Sequence, residues 1–473
     1  MLPLSVIPTL FAFVIPGLTE ASDRRDPLQS RLRLLQRLHY IGSRLGGRDD
    51  ERVLRITLKI VTVITLLLAT NVTFAGEASY DYTGHIKYRS VLTDYPSDSL
   101  FQDFIDDPAW DNSANLRLNG TVQKDAWSGR IDYQLFTLHG DTVLMLQNNP
   151  GLGLFSPLLP DDSRRLMDLT HVINESDGSV TAHRLDRFYF DHITEQTVVR
   201  VGRQAISWGN GLFYNPMDFF NPFDPATIDK EYKAGDDMVY GQYLQQSGND
   251  WQAVWVGRRD LMGDVTSKVT STTAKYHAFV GEFEVDALLA KHYDAPTAAI
   301  GGVANAGGGI LRGDIVATNA ETDNFVSTVV NYSYSWVGFN KNMSGILELY
   351  YNGFGISNGD YSPANLANHP ELVKRLARGE IFTLGKNYLA AGMTIEMSPL
   401  WLFTPTLFNN LNDHSGLLQL TSLHDLKQDL QLILALNLPY GKTGTEFGGI
   451  DSGVPGRPLS VGASAFLQLA WYF

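Results

Sequence analysis

Toward the end of the chain, apolar and polar side chains alternate with a period of two. Leu467, Leu469, Trp471 and Phe473 fall on one face, while Ser464, Gln468 and Tyr472 fall on the other. Successive side chains of an extended strand point to opposite faces, so this run is a strand with one greasy and one wet side. The same pattern recurs upstream. Residues 83–95 set Ile86, Tyr88 and Leu92 against His85, Lys87 and Arg89; 115–123 set Leu116, Leu118 and Val122 against Arg117, Asn119, Thr121 and Gln123; 128–138 set Ile131, Tyr133 and Leu135 against Arg130, Asp132 and Gln134. Further runs at 181–192, 196–206, 237–246, 250–259, 273–280, 283–293, 309–318, 325–336, 344–353, 382–397, 400–411, 415–424, 428–439 and 459–473 bring the candidates to seventeen. Repeated alternating runs of about ten residues, separated by turn-forming clusters, are the signature of an all-β, transmembrane antiparallel β-barrel.

A single-chain barrel with both ends on one side of the membrane has an even number of strands. Seventeen runs therefore contain one error. The connections 96–113, 141–180, 207–236, 354–381 and 440–458 are long while 125–127, 193–195 and 247–249 are short, and the long set changes sides somewhere between 250 and 340. There the stretch Gly301-Gly-Val-Ala-Asn-Ala-Gly-Gly-Gly309 blurs strand limits, because glycine weakens a strand and offers no side chain to read. Dropping one run gives an expectation of about 16 strands, with 18 and 14 as alternatives. Short helices are expected in loops. His369-Pro-Glu-Leu-Val-Lys-Arg-Leu-Ala-Arg-Gly379 has Pro at the first helical position, Glu in the first turn, late basic residues and Gly past the end. Residues 141–180, too long for a simple connection, either fold into the lumen or cap it from outside.

Composition narrows the class. The 473 residues contain no cysteine, which excludes disulfides, thiolate metal sites and a cysteine nucleophile. Beyond the N-terminal region no uncharged stretch reaches the roughly 20 residues of a membrane helix, so a membrane-spanning chain must cross by strands. Residues 60–76 are uncharged, follow Arg52, Arg55 and Lys59, and end in small residues, which reads as a signal peptide over 53–75 with cleavage after Ala75, or after Ala78. Residues 1–52 are then expected to be an upstream extension from a start codon placed too early. Cleavage would remove ten Lys/Arg and six Asp/Glu, turning the net charge of −14 into −18 for the barrel over 76–473. A nucleic-acid partner is not expected of so acidic a chain.

Candidate chemistry lies on the inward faces. His85, Lys87, Arg89, Arg117 and Arg130 stack into a basic patch on one wall, and the loop after the first strand carries Asp98, Asp103, Asp106, Asp107 and Asp111. Opposed walls of this kind would set a transverse field in a pore; alternatively the charges compensate one another with no bearing on transport. Between 202 and 225, three Asx-Pro steps (Asn215-Pro216, Asn221-Pro222 and Asp224-Pro225) hold a candidate constriction loop rigid. Its Trp208, Tyr214, Phe219 and Phe220, beside Asp218 and Asp224, could grip a ring-shaped solute or pack the loop onto the wall. Gly355-Ile-Ser-Asn-Gly359 fits a nucleophile pattern but lacks the strand-to-helix turn that the pattern requires. It is similar to the Ser-Asn-Gly of outer-membrane phospholipase A, yet Gly355 stands where that family has its histidine. Gly441-Lys-Thr443 lacks the glycine a phosphate loop needs, and no H-E-x-x-H occurs. No enzyme activity, metal or cofactor is expected.

Four stretches, Gly202-Arg-Gln through Asn221-Pro-Phe, Leu311-Arg-Gly-Asp314, 375–385 and 467–473, resemble a group of uncharacterised proteobacterial porin-like outer-membrane proteins. The resemblance implies a barrel in the outer membrane of a Gram-negative bacterium and brings no catalytic residue. By fold-level analogy with porins it implies passive conduction of small hydrophilic solutes, the rival being a structural or secretion-accessory barrel with a closed lumen and partner-binding loops. The partners expected are outer-membrane lipid, the barrel-assembly machinery reading Leu467, Leu469, Trp471 and Phe473, and the solute.

Overall fold

In a computed structural model, which describes residues 78–149 and 159–473, the first strand, β1 (Ser79–Thr93), pairs antiparallel with the last, β19 (Ser464–Tyr472), from His85 opposite Tyr472 to Thr93 opposite Ser464. That pairing closes the sheet. In chain order the others are β2 (Ala109–Lys124), β3 (Trp127–Gly140), β4 (Thr170–Ser176), β5 (Ser179–Ile193), β6 (Thr197–Gln204), β7 (Asp236–Leu244), β8 (Asp250–Val256), β9 (Ser271–Val280) and β10 (Phe283–His292). They continue as β11 (Ala295–Ala306), β12 (Gly309–Asn319), β13 (Asn324–Gly338), β14 (Lys341–Tyr351), β15 (Asn387–Ser398), β16 (Trp401–Asn410), β17 (Ser415–Lys427) and β18 (Leu430–Tyr440). Each pairs antiparallel with its neighbours except that β3 skips β4 to pair β5. β4 covers only the first half of one edge of β5, Thr170 to Ser176 against Arg184 to Ser179, and β6 takes the second half. The ring therefore has eighteen strands, with β4 as an extra hairpin arm. The proposed upstream extension and signal peptide lie outside the described residues.

The first expectation of about 16 strands is corrected to eighteen, one of the two alternatives, and the reason is local. All seventeen runs are strands, and the missing one is β11, which passes straight through the glycine-rich stretch. Its hairpin to β12 turns at Gly307 and Gly308, with φ of +57° and +82°, a two-residue turn that matches strand twist and suits glycine. With β11 in place, the connections at one end are all short (125–126, 194–196, 245–249, 281–282, 307–308, 339–340, 399–400, 428–429), and the long ones share the other.

The barrel is inverted relative to a soluble protein. On β10, Leu289 is 69% exposed on the outside while its neighbour Leu288, facing in, is 2% exposed. Outward positions such as Ile131, Val199, Ile300, Ile315, Val330, Leu349 and Leu436 are exposed and apolar, whereas Asp132, Asp314, Asn331, Glu348, Gln419 and Gln468 are buried inside. Trp127, Trp251, Phe283, Trp336, Phe339, Trp401 and Phe473 are exposed near the short-turn end, as an aromatic girdle at a membrane interface would be. At the seam, Phe473 and Gly84 exchange both backbone hydrogen bonds, 2.8 and 2.9 Å, and the Phe473 ring lies over Gly84 so closely that a Cβ there would sit 2.7 Å from it. Leu467, Leu469, Trp471 and Phe473 share the outer face, and Gln468 and Tyr472 point inward.

Among the long connections, 141–178 begins as helix α1 (Asp141–Asn148), whose Met145 packs with Tyr95, Ile105 and Ala109. Its residues 162–169 then strap the rim of β6 to β8, where Asp162 takes Arg203 at 2.6 Å and Asp237 takes the Met167 amide at 2.8 Å. These described parts cap the rim rather than enter the lumen. The loop 352–386 carries α2 (Pro363–Ala367) and α3 (Pro370–Ala377), the latter with Glu371 in its first turn, Lys374 and Arg375 in its last, and Gly379 beyond at φ +65°.

Candidate functional site

The connection that enters the barrel is 205–235, the segment rich in Asx-Pro steps. Trp208 Nε1 donates to Gln252 of β8 at 2.7 Å, and the Asn210 amide donates to Asp314 of β12 at 2.6 Å. The amides of Leu212, Phe213 and Tyr214 donate to Glu348 of β14, and Gln419 of β17 donates to the Ala226 carbonyl at 2.8 Å. Asp229 and Glu231 reach Lys87 of β1, Tyr472 of β19 donates to Glu231 at 3.0 Å, Tyr232 lies beneath Arg117 of β2, and Arg187 of β5 donates to the Lys233 carbonyl. A loop that touches strands all round the ring lies in its interior. Its prolines restrict the chain, and the expectation that each preceding residue is extended is corrected at Asn221, which stands at φ +52° before Pro222.

The candidate residues on this loop divide by burial. Trp208 and Phe220 are buried with Met217, Met238, Val254, Val256, Leu288 and Val316, their rings 5.8 Å apart edge to face. Tyr214 stacks on Tyr350 at 4.8 Å within a second cluster that includes Tyr388, Phe408 and Leu417. Those three aromatics pack the loop onto the wall. Phe219 is half-buried against His292 at 5.4 Å. Asp218 is buried in an ion pair with Lys233 at 2.5 Å; burial pushes its carboxyl up to about 6 despite Lys233, and burial also lowers Lys233. Asp224 is exposed and caps the Ala226 amide at 2.8 Å. Between this loop and the loop 352–386 lies a cavity of about 70 Å³, bordered by Phe219, Phe223, His292, Thr297, Arg375 and Glu380.

The basic patch faces inward as its alternation predicts, and its charges are matched at close range. Lys87 meets Asp229 at 2.7 Å and Glu231 at 2.5 Å, and Arg89 meets Asp229 at 2.6 Å. Burial alone would raise Asp229, but Lys87 and Arg89 outweigh it and hold the carboxyl down to about 2. Arg130 holds Asp132 through two hydrogen bonds of 2.8 and 3.0 Å. Arg117, Arg184 and Arg187 converge on Asp186, the first and last at 2.9 Å. His85 packs between Tyr232 and Tyr472, with ring centroids 5.4 and 5.7 Å away. Arg89 and Arg130 keep 38% and 36% of their side chains exposed, and the guanidinium of Arg117 is buried.

The acids expected to oppose the patch sit elsewhere. Asp98, Asp103, Asp106 and Asp107 are exposed in the rim loop 94–108. Asp103 pairs with Arg457 at 2.5 Å, Asp107 accepts the Tyr95 amide at 2.9 Å, and Asp111 accepts the Thr142 amide at 3.0 Å. Asp103 and Asp111 tie this rim to the loops 441–463 and 141–178, and Asp107 closes its own loop. The partners of the patch are Asp132, Asp186, Asp229 and Glu231, of which the last two lie more than 140 residues from Lys87. Glu348 and Asp314 were also outside the candidates read from the sequence, although each is an acid at an inward position flanked by apolar outward ones, Leu347 and Leu349 or Ile315. That inward acid was the available signal.

No family model and no curated protein matches this chain. Among solved structures it is similar in fold to Acinetobacter baumannii OccAB4 (8% identity, 84% of this chain and 98% of that one, TM-score 0.48). It is similar also to the outer membrane protein opdK from Pseudomonas aeruginosa (9%, 83% and 99%, 0.47) and to Pseudomonas aeruginosa OccK5 (OpdH) (9%, 83% and 98%, 0.46).

Proposed function

We propose that this protein is a porin-like channel in the bacterial outer membrane, through which small hydrophilic solutes diffuse passively. The observation that carries the reading is a loop hydrogen-bonded inside a closed ring whose inner wall holds buried acids, bases and amides beside apolar patches and whose outer wall is apolar. Eighteen strands enclose more space than side chains fill, so an infolded loop narrows the passage rather than merely packing a core. An outer face of exposed Leu, Ile and Val beside an aromatic girdle belongs in lipid. The apolar face of β19, Leu467, Leu469, Trp471 and Phe473, serves the barrel-assembly machinery as an insertion signal. No cofactor is required.

Arg89 and Arg130, partly exposed on one wall, with Asp224 exposed on the loop, would act on the charge of the passing solute. Reconstituted in a planar bilayer, the protein should give discrete conductance steps, and liposome swelling with sugars, amino acids and organic acids would rank the solutes. The circuit of contacts made by the inner loop favours one rival, a barrel with a shut lumen whose rim loops bind a partner. Electrical silence at high load of verified folded protein would establish that rival in place of the channel.

A further inference from the structure

Residues 210–214 of the inner loop meet the wall through backbone amides as well as side chains. Glu348, fully buried on β14, accepts the amides of Leu212 at 2.7 Å, Phe213 at 3.0 Å and Tyr214 at 2.7 Å, and the side chain of Asn331 at 3.1 Å. Two strands away, Asp314 accepts the backbone amide of Asn210 at 2.6 Å and its side-chain amide at 2.7 Å, while Asn331 donates to the Asn210 carbonyl at 2.9 Å. Hydrogen bonds to a carboxylate are about twice as strong as neutral ones, and three consecutive amides on one acid fix a backbone segment in both position and direction. The wall is recessed to receive it. A Cβ on Gly301 of β11 would lie 2.1 Å from Asp314 Oδ1 and 2.7 Å from Asn210 Nδ2, so only glycine lets the loop come this close.

We infer that Glu348, with Asp314 beside it, is the positioning residue that seats the inner loop against β12 to β14 and so sets the width of the passage that the loop leaves. This rests on the channel reading. The contacts at the other end of the loop, from Asp229 and Glu231 to Lys87 and Arg89, are ion pairs of side chains that tolerate adjustment. The amides on Glu348 tolerate less, because a donor left without its acceptor carries a desolvation penalty that is largest at the buried Tyr214 amide. Glu348 therefore decides where the loop stops.

The natural chain has no cysteine, so Phe213→Cys places a single thiol on the seated segment, where the ring now packs 5.5 Å from that of Phe408. In Glu348→Ala that thiol should react with a small water-soluble methanethiosulfonate at least about tenfold faster than in the parent, because the seat opens locally. Unitary conductance in a planar bilayer should change by about twofold, with added flicker. Glu348→Gln, which keeps one acceptor oxygen, should fall between. Joining Asn210→Cys to Asp314→Cys with a short thiol cross-linker in Glu348→Ala, with Phe213 native, should return the parental conductance, which a merely structural role would not do. Folding is checked by heat-modifiable electrophoretic mobility, and if Glu348→Ala fails it, Glu348→Gln and Asp314→Asn carry the test. An unchanged thiol rate in a folded variant overturns the seating, and a faster rate with an unchanged conductance overturns its control of width. A faster rate in a barrel that never conducts supports the seat and overturns the channel reading instead.

Discussion

The wall made by β1, β2, β3 and β5 and the wall made by β12 to β17 hold the same loop by opposite means. The first is charged: Lys87, Arg89, Arg117, Arg130, Arg184 and Arg187 face Asp132, Asp186, Asp229 and Glu231. The second is largely neutral: Tyr214, Val329, Tyr350, Tyr388, Phe408 and Leu417 pack together, with Glu348 and Asp314 bonded to amides rather than to cations. The contrast teaches that a loop can be fastened with side-chain charges where it must neutralise a wall, and with backbone amides where its position must be exact. Removing one member of a buried charge pair strands the other, whereas a dry contact responds to shape.

The largest effect is expected on the charged wall. Lys87→Ala leaves Asp229 and Glu231 without their shared cation and should destabilise the barrel by about 3 kcal/mol, read from urea unfolding in detergent micelles; Lys87→Met with Asp229→Asn should recover most of that loss. If the single variant costs no more than an ordinary surface change, the pairing is not what holds this end of the loop. At the edge of the neutral wall, on β11, Gly301→Val should cost about 1–3 kcal/mol by overpacking and should expose the Phe213→Cys thiol, while Gly241→Val, with open space around it, should do neither.

Acidity separates the walls with opposite signs. Glu446, on the loop 441–463, accepts from Tyr388 at 2.5 Å, Asn410 at 2.7 Å and the Leu384 amide at 2.8 Å, yet burial pushes its carboxyl up from 4.5 to about 7. A raised carboxyl favours docking in its protonated form, so this contribution is complete below pH 4.5 and is lost as pH rises through about 7. Asp229, lowered from 3.8 to about 2, contributes above pH 3.8 and loses that contribution as pH falls through about 2. Between pH 5 and 8, hydrogen exchange in 441–463 should therefore rise with pH beyond the intrinsic increase, Glu446→Gln should abolish the excess, and the loop near Asp229 should show none. The smallest effect belongs to salt. Raising ionic strength from about 0.1 to 1 M should weaken the half-exposed Arg89 and Arg457 pairs by at most about 1 kcal/mol and leave the Phe213→Cys thiol rate unchanged.

Much of the fold was legible because a barrel with an apolar outside imposes one rule on every strand, and β19 or β3 can be read without knowing its neighbours. Helix α3 was legible for the same reason, since Pro370, Glu371 and Gly379 act within a few residues of each other. β11 was not. Its Gly301 and Gly302 carry no side chain to alternate, and the space above Gly301 is filled by Asp314 together with Asn210 of the inner loop, which lies some ninety residues upstream in the chain. Of the candidate site, the inward face of the basic patch could be read from alternation, while its partners could not. Proximity in sequence favoured the acids of 98–111, but the chain folds Asp229 and Glu231 onto Lys87.

By itself the sequence determined which side of each strand faces outward and which meets the interior, because that choice depends only on alternate residues and the hydrophobic effect acts on each strand separately. Tertiary structure alone decided the eighteen-strand count, the entry of 205–235 into the lumen, and the meeting of Glu348 with three amides far from it in the chain. Those depend on which distant segments become neighbours once the ring closes, and hydrogen bonds and ion pairs gain their strength only at that short range.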